Sequence, residues 1–110
     1  MIKSYMKYFT GNLEVKPFLY ANPQRLGLLL VDADTGEIVT TATVNIPEDD
    51  YRIVIKNYSE NEGVLETLIE GKIGEPRGMV RVGYASGYKF HITDDKLKST
   101  IDDMFDDLLG

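Results

Sequence analysis

Cysteine is absent from this 110-residue sequence, which excludes disulfides, thiolate nucleophiles and the sulfur ligands of structural zinc. Histidine occurs once, at His91. A metal centre would have to rest on carboxylates, so no metal or other cofactor is expected. No apolar run approaches the roughly 20 residues of a membrane span, so no membrane association is expected. The opening residues MIKSYMKYFTG carry Lys3 but no unbroken apolar segment, so a secretory signal is not expected and a cytoplasmic location is. Phosphate-cradling loops are missing too. Glycines 71, 74, 78, 83 and 87 fit neither G-x-x-x-x-G-K-[ST] nor a G-x-G-x-x-G between strand and helix. They read as turns and bulges.

Positive charge is scarce: Lys and Arg number 12 against 18 Asp and Glu, a formal net charge of -6. Nucleic-acid binding depends on cations that neutralise phosphates, so direct binding is not expected. An acidic balance serves solubility, or lets a protein compete with nucleic acid for a basic protein surface. The length suits one domain, residues 1–110. No internal repeat or linker divides it.

What is present is organised around Arg25–Ile46, RLGLLLVDADTGEIVTTATVNI. Two β-branched-rich runs flank Asp34-Thr35-Gly36, a turn signal, and predict a β-hairpin. In the first run Leu26, Leu28 and Leu30 point one way and Leu29, Val31 and Ala33 the other, as in a central strand covered on both sides. The second run sends Ile38, Ala42, Val44 and Ile46 to a buried face, and Val39, Thr41, Thr43 and Asn45 to a half-polar one.

Before this hairpin, residues 2–9 predict a first strand, and Gly11-Asn12 a turn into a strand from Leu13 to Tyr20. Pro17 marks that strand as an edge or a bulge. Ala21-Asn22-Pro23-Gln24 predicts another turn. Beyond it, residues 51–56 predict a strand. Ser59 and Glu62 have the spacing of a capping box that opens a helix with the stripe Val64, Leu65, Leu68 and Ile69, stopped at Gly71. Residues 73–78 read as a Gly/Pro loop. Met79–Tyr84 and Tyr88–Ile92 read as short strands around Ala85-Ser86-Gly87. Thr93 is placed to cap a last helix whose stripe is Leu97, Ile101, Met104, Phe105 and Leu108. The expected fold is α+β: a mostly antiparallel sheet of about five or six strands, with two helices, about 60–70 and 94–109, packed on it.

Candidate sites are few. Asp32-Ala33-Asp34-Thr35-Gly36-Glu37 has the outline of a calcium loop, but its glycine comes one place early and no helices flank it, so a hairpin turn is favoured. His91 lies in a strand between Phe90 and Ile92, where packing or solvent exposure is favoured over acid–base chemistry. Asp95, Asp102, Asp103 and Asp106 lie opposite the apolar stripe of the last helix. They form a solvated face or a strip that docks on a basic partner. The loop candidates Asn45, Asn57, Glu60 and Asn61 serve a partner, or satisfy local backbone.

Thr43-Val44-Asn45 at the end of the hairpin, Asn57, Glu60, Asn61 and Gly63 in an Asn-x-x-Glu-Asn-x-Gly pattern, and a Gly-Tyr pair at Gly83-Tyr84 or Gly87-Tyr88 carry a resemblance. Over roughly residues 20–92 the chain resembles a domain-of-unknown-function family of small proteins from phages, plasmids and other mobile elements of Gram-positive bacteria. The resemblance implies a genomic setting and no activity. Three functions are then in view. The first is a small non-enzymatic protein-binding module, such as a mobile-element accessory factor that inhibits a host nucleic-acid-handling or defence protein. The second is an uncatalogued enzyme using carboxylates and His91. The third is a self-associating structural domain that pairs through Met1–Tyr20. The chain is expected to be a monomer or a homodimer.

Overall fold

The computed structural model describes residues 1–21 and 24–109. It is α+β, with antiparallel strands and two helices. Among the described residues the strands number eight, in two sheets of four where one sheet of about five or six was expected. The first sheet orders β1 (Ile2–Lys3), β2 (Asn12–Leu19), β3 (Leu26–Asp32) and β4 (Ile38–Thr41). The second orders β5 (Thr43–Val44), β6 (Arg52–Ile55), β8 (Ala85–Ile92) and β7 (Gly74–Val82). A 3₁₀ turn at Ser59–Asn61 precedes helix α1 (Val64–Glu70), and α2 (Asp95–Leu109) ends the described chain.

The second sheet arises because the second half of the central hairpin breaks at Ala42. The Ala42 N–H donates to the Leu28 carbonyl at 2.8 Å in the first sheet, while its own carbonyl accepts from the Lys56 N–H at 2.9 Å beside the second. One buried residue thus hinges the two sheets together. Where β4 departs, the Leu28 N–H is taken instead by the Thr43 hydroxyl at 3.2 Å. That hydroxyl is 3.0 Å from the Tyr20 hydroxyl. A side chain here replaces a missing ladder partner, as a buried donor requires. The break also slips the alternation. Ile38 is exposed rather than buried, Val39 packs against the core, and Ala42 is fully buried.

The core is one cluster drawn from both sheets and both helices, including Leu13, Leu28, Leu30, Ile53, Ile55, Leu68, Phe90, Ile92, Leu97 and Ile101. Burying each such side chain contributes about 1.5–3 kcal/mol before entropy. On the other face of β3, Val31 is buried and Leu29 half-buried.

Several local expectations change. The first strand shrinks to Ile2–Lys3. The residues read as a Gly/Pro loop at 73–78 begin β7 at Gly74. Pro76 is tolerated because β7 is an edge strand, and Pro76 pairs with Phe90 at a position whose N–H would face outward. A register shift between Pro76 and Met79 accommodates Gly78, whose φ is 109°. The next turn is Gly83-Tyr84 rather than Ala85-Ser86-Gly87, since Val82 pairs with Ala85 and Gly83 takes φ 60°. The Asp34-Thr35-Gly36 turn forms as expected. The Gly36 N–H donates to the Asp32 carbonyl at 2.8 Å and the Asp34 N–H to Asp32 Oδ1 at 2.8 Å. Around the turn expected at Ala21–Gln24, the Tyr20 N–H donates to the Arg25 carbonyl at 2.8 Å. Asn22 and Pro23 themselves lie outside the described residues.

The capping box does not form. Ser59 sits at φ 55° inside the 3₁₀ turn, α1 starts later than expected, and its N-cap is Gly63 at φ 96°. The cap that serves α1 comes from further away. Asn57 Oδ1 accepts the Leu65 N–H at 2.9 Å. At α2 the capping side chain is Asp94 rather than Thr93: Asp94 Oδ2 accepts the Leu97 N–H at 2.9 Å.

Candidate functional site: the acidic helix and its two grooves

Helix α2 presents two chemistries. Leu97 and Ile101 are buried, Met104 and Phe105 are half-buried, and Leu108 is exposed, so the expected stripe seals the core along its first half. Asp95, Asp102, Asp103 and Asp106 all face solvent, and Asp107 joins them. Successive residues turn about 100° around a helix, which brings Asp95, Asp102 and Asp106 into one row with Asp103 beside it.

The four carboxylates differ in company. Asp95 Oδ1 is 4.0 Å from Lys98 Nζ, a loose pair. Asp102 Oδ1 accepts the Tyr51 hydroxyl at 2.6 Å, and the Lys98 ammonium lies 5.1 Å from the centre of the Tyr51 ring. The Asp102 carboxylate holds the Tyr51 proton in place, so the phenol titrates above its ordinary range. Asp103, Asp106 and Asp107 form no ion pair among the described residues.

The end of the helix is the unusual part. No basic residue occupies the last turn of α2, while Asp106 and Asp107 approach it. Helix C-termini carry partial negative charge and favour cations, so this placement works against the dipole by about 0.3–1 kcal/mol per charge.

Two grooves flank α2. One of about 890 Å³ lies between α2 and β2. Its walls include Leu13, Glu14, Val15, Lys16 and Pro17 on the strand, and Asp94, Lys96, Thr100, Asp103, Met104 and Asp107 on the helix. The other, of about 580 Å³, lies between α2 and the start of β6. It is lined by Arg25, Glu48, Asp50, Tyr51, Arg52, Asp102 and Phe105 among others.

The loop candidates do not gather there. Asn61 is fully buried. Its Oδ1 accepts the Thr40 hydroxyl at 2.5 Å and its Nδ2 donates to the Thr41 carbonyl at 2.8 Å, tying the 3₁₀ turn to β4. Asn57 caps α1. Glu60 pairs with Lys56 at 2.6 Å, and that hydrogen bond holds its carboxyl below the usual range. These three come together as a structural joint. Asn45 stands apart and exposed, with Arg25 Nη1 3.4 Å from its carbonyl. Sequence reasoning missed Thr43 and Thr67, both buried. Thr67 donates to the Gly63 carbonyl at 2.8 Å and accepts the Tyr5 N–H at 2.9 Å. Threonine within a strand or helix gives no signal of such a bridge. Tyr51, the partner of Asp102, gives no signal beyond its place at the start of a strand run.

His91 lies on β8 between Arg52 and Glu75 on the neighbouring strands, and it lines neither groove. Among the described residues no group of three or more His, Asp or Glu side chains is placed to hold a metal. No helix among them is long and apolar enough to cross a membrane. Comparison with models of known protein families, with curated proteins and with solved structures finds no match.

Proposed function

We propose that this chain is a small non-enzymatic protein-binding module whose acidic α2 face, Asp95, Asp102, Asp103 and Asp106, docks on a basic protein surface. One observation carries the reading: at the C-terminal end of α2, Asp106 and Asp107 stand against the helix dipole and form no ion pair among the described residues. Charges held where they disfavour the fold are best explained by a cation outside it. With the resemblance over residues 20–92, the module is an accessory factor of a mobile element, acting in the cytoplasm on a host nucleic-acid-handling or defence protein. Acidic strips of this kind engage the surfaces such proteins use for phosphates. The enzyme reading loses ground because His91 lines neither groove.

Affinity capture from a Gram-positive lysate tests this directly. The wild type is run beside D95N/D102N/D103N/D106N, with circular dichroism establishing that both are folded. The expected result is a basic protein held by the wild type and lost by the variant. The same protein captured equally by both would remove α2 as the docking face.

A further inference from the structure

The groove between β2 and α2 has a wall of unpaired backbone. β1 covers β2 only at Asn12 and Leu13, through the pairs Lys3↔Asn12 and Ile2↔Leu13. From Glu14 onward β2 has a single ladder partner, β3. The Asn12 carbonyl faces β3, where it accepts the Ala33 N–H at 3.0 Å. By alternation the backbone groups of Glu14, Lys16 and Phe18 also face β3, and those of Val15, Pro17 and Leu19 face outward. Pro17 therefore sits where its missing donor leaves no gap in the β2–β3 ladder. The open edge offers the N–H and C=O of Val15 and the C=O of Pro17, and no described residue hydrogen-bonds to them.

We infer that this edge takes a short extended segment of a partner protein as an added strand, antiparallel to β2 and in line with β1, with basic and apolar side chains alternating. The strand direction follows from β1, whose antiparallel register is the one the edge already uses. The groove beside it gives room, and its apolar surface comes from Val15, Pro17 and Met104. Charge selects the occupant. Glu14, Asp94, Asp103 and Asp107 outnumber Lys16, Lys96 and the Met1 amino group along the walls, and the chain as a whole carries -6. A second copy of this chain would bring like charge to the same place, whereas Lys or Arg side chains reach Asp103 and Asp107. Backbone pairing supplies affinity and alternate side chains supply specificity in this mode of recognition. The site lies beside the outer face of α2 rather than on it. The inference shares with the function proposed above Asp103, which borders both faces, and the premise that the partner is a basic protein.

The probe is a capped hexapeptide of alternating Val and Lys, titrated up to about 1 mM into the isotope-labelled chain while amide shifts are followed. The same peptide with Glu for Lys, and with alternate backbone nitrogens methylated, serves as comparison. The expected result is saturable shifts confined to residues 13–19 and the groove side of α2. The Glu peptide and the methylated peptide should not bind. D103N/D107N should weaken the Lys peptide about fivefold, the scale of two exposed ion pairs, while D95N/D102N/D106N leaves it unchanged. No saturable shift, shifts elsewhere, or equal binding of the methylated peptide would overturn the inference. So would dimerisation through the same amides without peptide, which would make a second copy the occupant. Failure here with capture still lost in D95N/D102N/D106N leaves the proposed function standing, whereas peptide binding with capture unaffected by D95N/D102N/D106N leaves this inference standing alone.

Discussion

Gly63→Ala is expected to destabilise the fold by about 4 kcal/mol, combining left-handed strain of about 1–2 with overpacking of about 1–3. Gly63 has φ 96° as the N-cap of α1. A Cβ there would overlap the Tyr5 carbonyl oxygen and lie 2.7 Å from Met6 Cα. Both obstacles are backbone and cannot rotate away. Relief requires moving the segment after β1, which would also disturb the Tyr5 N–H bond to Thr67. Against a total stability of roughly 5–15 kcal/mol for such a domain, the change consumes much of what holds it. Urea denaturation measures it. Gly36→Ala is the internal control, since Gly36 has φ 79° but nothing within 4 Å of the added carbon. A loss at Gly63 no larger than at Gly36 would mean that the close approach of Tyr5 and Met6 contributes nothing.

Asn61→Ala is expected to cost about 3 kcal/mol, because it removes a fully buried amide that satisfies a part-buried carbonyl and a part-buried hydroxyl together. The carbonyl of Thr41 loses its 2.8 Å donor and the Thr40 hydroxyl its amide acceptor, leaving only the long 3.5 Å contact between the two. These two residues end β4 just before the Ala42 hinge, so the damage falls where the two sheets join. Asn57→Ala removes only a helix cap and should cost about 1 kcal/mol. Thermal denaturation of the pair ranks them. Equal, small losses at both positions would mean that Asn61 is not the tie between the 3₁₀ turn and β4.

These two residues also show how far the sequence could be read. Asp34-Thr35-Gly36 and the α2 stripe were legible because their causes are local: turn chemistry in one case, helical spacing in the other. The start of α1 was not. Ser59 and Glu62 have the spacing of a capping box, yet Asn61 is drawn to a carbonyl 20 residues earlier in the chain, and Ser59 takes a left-handed conformation instead. A long-range hydrogen bond overrode a local motif. The same holds at Ala42, where one small residue lets the chain change sheets and nothing in an alternating run announces the break. Gly74, Pro76 and Gly78 read as breakers but sit in one edge strand, Gly74 buried where a Cβ would meet the His91 carbonyl, Pro76 at an outward position and Gly78 at the register shift. Of the candidate site residues, the acidic row on α2 was visible from spacing alone. That Asn57 and Asn61 brace the fold was visible only once their partners were placed.

The central claim is that α2 holds its terminal carboxylates for a partner and at the expense of the fold. The direct measurement is the urea midpoint of D106N/D107N, an isosteric change at exposed positions. The account predicts a higher midpoint than the wild type, by about 0.6–2 kcal/mol in stability once the dipole penalty on two charges is relieved. A lower midpoint would contradict it, since Asp106 and Asp107 would then be holding the helix in place.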